Sequence, residues 1–375
     1  MNILFLGPYR DGTGYGNQCL SQMKALIDAG ANLIARPIKM TPTSVQISEE
    51  IAACEHKTVE CGVDAIIQHN LPSTFVKTEK ALCIGSFAYE TTTLVHTGWR
   101  QQISMMDMIF TMCEADTKVI KAETDAEVYT IGGVIDTHKF DNIGGVIDFG
   151  LPIDCHKFYT ISELTERKNI SDLVLAYLNS FTSNDNVALI LKLNITGADE
   201  HTTKDAAVKM VDSIKQNMRR FENDKLYPPI IIITNRLSEK QLADLHNNCT
   251  TYVATSHGES WCMPAVDAIC AGNKVVAPRL GGFVDYVGPE CGYLLNTYLG
   301  PAYGERRTVP RLYTSNDHWY NIDVLQLQEV LRKIYDHKER LCDPYYDQHL
   351  TRFSSKNVGL RMLGHIERKL NAVAS

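Results

Sequence analysis

Short apolar runs alternate with amphipathic stretches along most of the chain. The first run, NILFLG at residues 2–7, is continuous and ends on glycine, as a parallel strand covered on both faces does. DGTGYGN (11–17) follows, then QCLSQMKALIDAG (18–30), in which Leu20, Met23 and Ile27 share one helical face and Gly30 is placed to end the helix. NLIARPI, VDAIIQH, ALCIGSF, DMIFTMC and AEVYTIGG predict further strands with helical stretches between them. A second series begins near residue 157 with KFYTISEL. In NISDLVLAYLNSF the spacing of Ile170, Leu173, Val174, Tyr177, Leu178 and Phe181 predicts a helix docked on a sheet. VALILKLN, PPIIIIT and TTYVATS predict strands, and Ser238 with Gln241 has capping-box spacing.

Alternation of this kind predicts parallel sheets with helices on both faces. The chain therefore reads as an α/β protein of two doubly wound, Rossmann-like domains, residues 1–150 and 151–352, followed by a closing segment at 353–375. Near the junction IGGVID occurs at 131–136 and 143–148, and HKF at 138–140 and 156–158. The two offsets differ, so the pattern reads as a small duplication that lengthens the connection rather than as a tandem repeat.

Composition narrows the classes. A chain of 375 residues is too long for one ordinary core. A formal charge of −7 argues against a nucleic-acid binder and against a strongly basic membrane-surface protein, and leaves peripheral membrane contact without support. The eleven cysteines include no C-x-x-C pair and no zinc spacing. MNILFLGPYR reads as a strand rather than a signal peptide, and no run approaches spanning length. A reduced, cytoplasmic protein with free thiols is the expectation.

The chemistry concentrates in HGESWCMPAVDAICAGNKVVAP, residues 257–278. It follows the carboxyl end of a predicted strand, where open α/β sheets bind ligands. Pro264 suits a first helical turn, and Gly272 suits the helix end. Glu259 is expected in the loop and Asp267 in the first helical turn. Backbone amides of Ser260, Trp261, Cys262 and Met263 at a helix start suit a phosphate, whereas the two carboxylates can accept from hydroxyls. Phosphate between hydroxyls describes a nucleotide-sugar. GTGYG lacks the last glycine of a dinucleotide fingerprint, because Asn17 stands there, and no acid closes the second strand, so a dehydrogenase is disfavoured. Glu90 and His69 end predicted strands of the first domain, where they read equally as acceptor-facing groups and as satisfied polar residues.

The segment Ser256-His257-Gly258-Glu259-Ser260-Trp261-Cys262-Met263-Pro264-Ala265-Val266-Asp267-Ala268 resembles the S-x-x-E-G-F-G-x-P-x-x-E-A pattern of retaining GT-B glycosyltransferases, group 1 or family 4. AGNKVVAPRLGGFVDYVGPECGYLL extends the resemblance, and ISELTERKNISDLVLAY is similar to the family segment carrying an Arg-Lys pair, here Arg167 and Lys168. The ending RFSSKNVGLRMLGHIERKL resembles a closing helix that returns toward the first domain.

The resemblance implies transfer of a hexose-type sugar from a nucleotide diphosphate donor, held by the second domain, to a glycan, lipid-linked or small-molecule acceptor on the first. It implies that Arg167 and Lys168 stabilise the departing diphosphate, Glu259 orients the hexose and Asp267 holds the ribose. Gly14 and Tyr15 would approach the donor phosphate or the acceptor. No cofactor and no metal is implied, the sugar nucleotide being a substrate. Ser260 and Cys262 replace the family's two glycines, which suggests a tighter sugar pocket. Asp267 is one methylene shorter than the usual Glu, and Glu163 stands where many members carry Arg. These departures keep two alternatives open: a catalytically silent GT-B nucleotide- or glycan-binding module, and a nucleotide-sugar epimerase.

Overall fold

Residues 1–41, 44–58, 62–94, 98–136, 140, 144–305, 312–339 and 350–374 are described by the structure, a computed structural model. They fall into two units, Met1–Asp136 with Asp347–Ser375, and Thr137–Tyr346. Contacts thus divide the chain at 136/137 and 346/347, where the sequence suggested 150 and 352.

The first unit runs β1 (Asn2–Gly7), α1 (Gly14–Asp28), β2 (Asn32–Pro37), α2 (Glu49–Glu55), β3 (Ala65–His69), β4 (Leu82–Ser86), α3 (Arg100–Ser104), β5 (Met108–Thr111), α4 (Glu114–Lys121) and β6 (Glu127–Thr130). Its six strands are parallel in the order β2-β1-β3-β4-β5-β6. The order reverses between β1 and β3, so the loops after these two strands open on one crevice at the sheet's carboxyl edge.

The predicted face of α1 needs correction. Cys19, Gln22, Met23 and Leu26 are buried, while Leu20 and Ile27 are only half-buried. Gln22 turns inward because its amide is used there: Nε2 donates to Ser86 Oγ at 3.3 Å, and Oε1 lies 2.9 Å from His69 Nδ1. A buried polar side chain with partners on both ends is tolerated, and it rotates the helix away from its most apolar stripe.

The second unit runs β7 (His156–Glu163), α5 (Ile170–Ser180), β8 (Val187–Asn194), α6 (Glu200–Met218), β9 (Ile230–Ile233), α7 (Glu239–Asn248), β10 (Thr251–Val253), α8 (Met263–Cys270), β11 (Lys274–Pro278), α9 (Phe283–Tyr286), β12 (Gly292–Leu295), β13 (Thr297–Pro301), β14 (His318–Ile322) and α10 (Val324–Asp336). The sheet order is β12-β11-β10-β7-β8-β9, all parallel, which reverses between β7 and β10. Its core packs Leu173, Val174 and Tyr177 of α5 with Leu189, Leu191, Val253, Val276 and, from α10, Leu327 and Leu331. The capping box at Ser238 and Gln241 forms as its spacing predicted.

The final helix, α11 (Ser355–Ala374), belongs to the first unit. It packs along α1; Ser355 Oγ donates to Asp28 at 2.6 Å and Lys369 pairs with Glu127 at 2.6 Å.

The two IGGVID copies dock differently. In the first, Ile135 N donates to Phe353 O at 2.8 Å, and Ile131 O accepts from Arg361. The second lies on α7: Gly145 N donates to Asp244 and Asn248 Nδ2 donates to Gly145 O at 2.7 Å. His138, Lys139 and Ile143, which belong to the repeated segments, lie outside the described residues.

Candidate functional site

In the second unit the strand order reverses between β7 and β10, and the loops leaving these two neighbours carry the predicted polar residues. After β7, Glu166–Lys168 form a single 3₁₀ turn. Asn169 then takes a left-handed backbone, φ 49°, which redirects the chain into α5; asparagine tolerates that conformation better than most residues. After β10, residues 254–262 form the loop that leads into α8.

Backbone hydrogen bonds tie the two loops together. His257 N donates to Arg167 O at 2.7 Å, and Thr255 Oγ1 donates to Asn169 O at 2.8 Å. Arg167 Nη1 donates to Gly258 O at 2.7 Å and lies 3.6 Å from Glu259 Oε2. Lys168 Nζ forms a hydrogen-bonded ion pair with the same carboxylate oxygen. The side chains of Arg167 and Lys168 are each 16% exposed and that of Glu259 is 10% exposed, so this is a largely desolvated triad. Burial alone would raise the Glu259 pKa. The charges of Lys168 and Arg167, with hydrogen bonds from Lys168 and Ser256, outweigh it and hold the carboxyl below its ordinary value of 4.5.

Below this triad the loop rests on the Gly281-Gly282 turn, where Gly282 N donates to Glu259 O at 3.4 Å. Gly281 has φ 48°, and a Cβ there would run into the Glu259 carbonyl oxygen. The paired glycines are therefore part of the site, as the only residues that let the two turns approach.

The start of α8 differs from expectation. Cys262 holds a left-handed backbone, φ 62° and ψ 74°, and the helix begins at Met263 with Pro264 second. Asp267 is consequently the fifth helical residue and lies in the second turn, not the first. The same conformation explains what a glycine would do at position 262. The replacement does not simply narrow a pocket; it places a side chain on a backbone that disfavours one. The Cys262 thiol is pushed up to about 12, by burial first and then by the Glu259 carboxylate, so it stays protonated.

The predicted residues do not all serve through side chains. The Trp261 indole is 4% exposed and packs on Tyr286, centroids 5.0 Å apart, and Tyr286 Oη donates to Trp261 O at 2.8 Å. Ser260 is buried, and Cys262 and Met263 are half-buried. Gly14 and Tyr15 belong to the first unit. There Thr13 caps α1 by accepting from Gly16 N at 3.1 Å. The ring of Tyr15 stands edge-on to His69 with centroids 4.8 Å apart. His69 is buried, so its pKa is lowered to about 3. Among residues that sequence reasoning passed over, Thr255, His257 and Asn169 hold the Arg-Lys turn against the Glu259 loop. Only Asn169 carried a signal, as a residue suited to φ above zero just before a helix.

Arg167 and Lys168 share one Glu259 carboxylate oxygen at the carboxyl edge of the sheet, so an incoming anion can recruit either cation. Such an arrangement suits an anion bearing hydroxyls. Among the described residues no group of three or more His, Cys, Asp or Glu is placed to hold a metal ion, and no helix is long and apolar enough to cross a membrane.

Comparison with known proteins gives a consistent picture. Residues 154–300 match a family described as glycosyl transferases group 1. No curated protein sequence matches the chain. The sucrose-phosphate synthase of Thermosynechococcus elongatus is similar in structure, with a TM-score of 0.61 and 14% identity over 100% of both chains. Alr3699/HepE of Anabaena, in complex with UDP-glucose, gives 0.58 and 12% over 100% of this chain and 99% of its own. The pneumococcal O-GlcNAc transferase GtfA, in complex with UDP and GlcNAc, gives 0.53 and 12% over 82% of this chain and 57% of its own. At these identities the likeness is one of fold: the GT-B architecture of two Rossmann-like units.

Proposed function

We propose that this chain, a glycosyltransferase whose residues 154–300 form a group 1 domain, moves a hexose-type sugar from a nucleoside diphosphate donor to a hydroxyl acceptor with retention at the anomeric carbon. The observation that carries this is the convergence of Arg167, Lys168 and Glu259 where the strand order reverses between β7 and β10.

An arriving diphosphate competes with Glu259 for Lys168 and Arg167. Its negative charge grows as the sugar–oxygen bond breaks, so the two cations act most strongly in the transition state. Glu259, released from part of its ion pairing, accepts from a hexose hydroxyl. Backbone amides of Ser260 to Met263 receive a phosphate, and Asp267 accepts from the ribose. The acceptor oxygen attacks from the face that the diphosphate leaves, and a leaving phosphate oxygen takes its proton. No cofactor enters this scheme, because the sugar nucleotide is the substrate. UDP-glucose bound to the similar Anabaena protein makes a uridine donor the first to try.

The test is a thermal-shift panel of UDP-, GDP- and ADP-sugars, followed by turnover of the best binder with and without acceptor sugars. One donor should raise Tm by several degrees and release its nucleoside diphosphate on transfer or slow hydrolysis. Absence of any shift removes the reading. A donor that binds and is never consumed makes the chain a silent binding module. Conversion to a second sugar nucleotide without acceptor makes it an epimerase.

A further inference from the structure

The family match ends at residue 300, inside β13. Beyond the last sheet strand, β12, the chain leaves the six-stranded sheet and forms an antiparallel hairpin of β13 and β14, in register from Thr297↔Ile322 to Pro301↔His318. This hairpin has its own small core of Ala302, Tyr313 and Trp319, exposed by 1%, 9% and 2%.

Strand β14 of the hairpin meets the Glu259 loop at His257 in three ways. Tyr320 N donates to His257 O at 3.0 Å. His257 Nδ1 lies 3.0 Å from Tyr320 O, which can only accept, so the ring nitrogen there carries the proton. Trp319 stacks on the imidazole at 5.5 Å between centroids and 7° between planes. His257 N in turn donates to Arg167 O, and the next carbonyl, that of Gly258, accepts from the Arg167 guanidinium. From the connection that follows β13, Glu305 accepts from Arg167 N at 3.3 Å. The hairpin and its connection therefore touch both loops of the site, at Arg167 and at His257, two residues before Glu259.

We propose that the β13–β14 hairpin is a brace for the two donor loops, with Trp319 as a positioning residue acting through His257 to set the spacing of Glu259 from Arg167 and Lys168. The inference deepens the proposed function and rests on it for its kinetic consequence. Reacting groups displaced by about 1 Å commonly lose about a hundredfold in rate, so a brace two residues from the acid has leverage. The bare nucleoside diphosphate has no hexose for Glu259 to hold, so loosening that acid should affect the intact donor more than the product.

Trp319→Leu removes the stacking ring, and Trp319→Phe keeps one. Because Trp319 also fills the hairpin core, His257→Leu removes the same stack from the other side and decides the matter should Trp319→Leu fail to fold. Amide hydrogen exchange of residues 255–262 and donor kcat/KM are read for all three, with UDP affinity as the reference. In Trp319→Leu and His257→Leu, exchange of 255–262 should quicken by about tenfold or more and kcat/KM should fall by about tenfold or more, while UDP, which engages the 260–263 amides but has no hexose for Glu259, should lose affinity by a clearly smaller factor. Trp319→Phe should restore both to within about threefold of the parent. Equal exchange in the Leu and Phe variants, or equal kcat/KM, overturns the brace and leaves the proposed function standing. If the parent protein binds no sugar nucleotide, the proposed function falls, and the exchange measurement alone then decides whether the hairpin holds the loops.

Discussion

Lys168 and Glu259 are 91 residues apart in sequence and form one ion pair, with Arg167 as a second cation on the same carboxylate oxygen. The pair is largely removed from water, so its two halves are not equivalent to lose. Removing Lys168 leaves a buried carboxylate with the more distant Arg167 as its remaining cation, which is costly. It also removes the nearer cation from any departing diphosphate. Lys168→Ala should lower kcat by about 10²-fold with a smaller change in donor KM. A kcat unchanged at saturating donor would remove Lys168 from the leaving-group role.

The same triad has a signature in acid. Folded Glu259 titrates below the ordinary 4.5, whereas in the unfolded chain it takes up its proton near that value. The stability it contributes is therefore fully present above 4.5 and is lost as pH falls through the lower, folded value. The Tm difference between the parent and Glu259→Gln should hold steady from about pH 8 to about pH 5.5 and narrow in more acid solution. A difference that instead shrinks between pH 8 and 6 would mean that some other group governs the pairing.

How far the sequence discloses this site follows from the range of the forces involved. Arg167-Lys168 and the Glu259 segment each announce themselves locally, by residue type next to a strand end, and both arrive where strand order predicts a ligand. Ser238 and Gln241 cap α7 through contacts three residues apart, so their spacing suffices. The inward face of α1 departs from its apolar stripe because Gln22 is satisfied by His69 and Ser86, 47 and 64 residues away, which no periodicity encodes. Asp267 falls one residue beyond the first turn because the left-handed Cys262 lets the helix begin at Met263. The β13–β14 hairpin leaves no comparable local signal. TYLGP and HWYNI are short and lack a two-residue turn between them, and their pairing is specified by Trp319 and Tyr313 in three dimensions.

Gly281 and Gly272 allow the close approach beneath Glu259 to be measured. Both have positive φ, 48° and 79°, but a Cβ at Gly272 meets nothing within 4 Å, while one at Gly281 meets the Glu259 carbonyl. Gly272→Ala should cost only the conformational part, about 1 kcal/mol. Gly281→Ala should cost about 2 kcal/mol or more in addition and reduce donor affinity, since the loop carrying Glu259 must move. Equal destabilisation of the two variants in urea unfolding would show that the loop yields without penalty.

Cys262 combines a left-handed backbone with a half-buried, protonated thiol. A β-branched residue is far less tolerant of that conformation than cysteine, and glycine is more tolerant. Cys262→Val should therefore be destabilised by about 2 kcal/mol or more, and Cys262→Gly should stay within about 1 kcal/mol of the parent. With its pKa near 12, the thiol should resist iodoacetamide at pH 8 in the folded protein. Rapid alkylation of Cys262 under native conditions would contradict its placement.

His69 makes the complementary case in the first unit. Its Nδ1 lies 2.9 Å from Gln22 Oε1, and burial lowers its pKa from 6.5 to about 3. The folded ring stays neutral where the unfolded chain binds a proton, so stability falls with falling pH from 6.5 to about 3. His69→Gln should show a shallower fall over that range. No inflection of activity between pH 6 and 7 should trace to His69, and its ring proton resonances should not shift until the solution is near pH 4. A titration of this ring near 6.5, or an activity inflection there that disappears in His69→Gln, would show that the imidazole meets water and faces the acceptor after all.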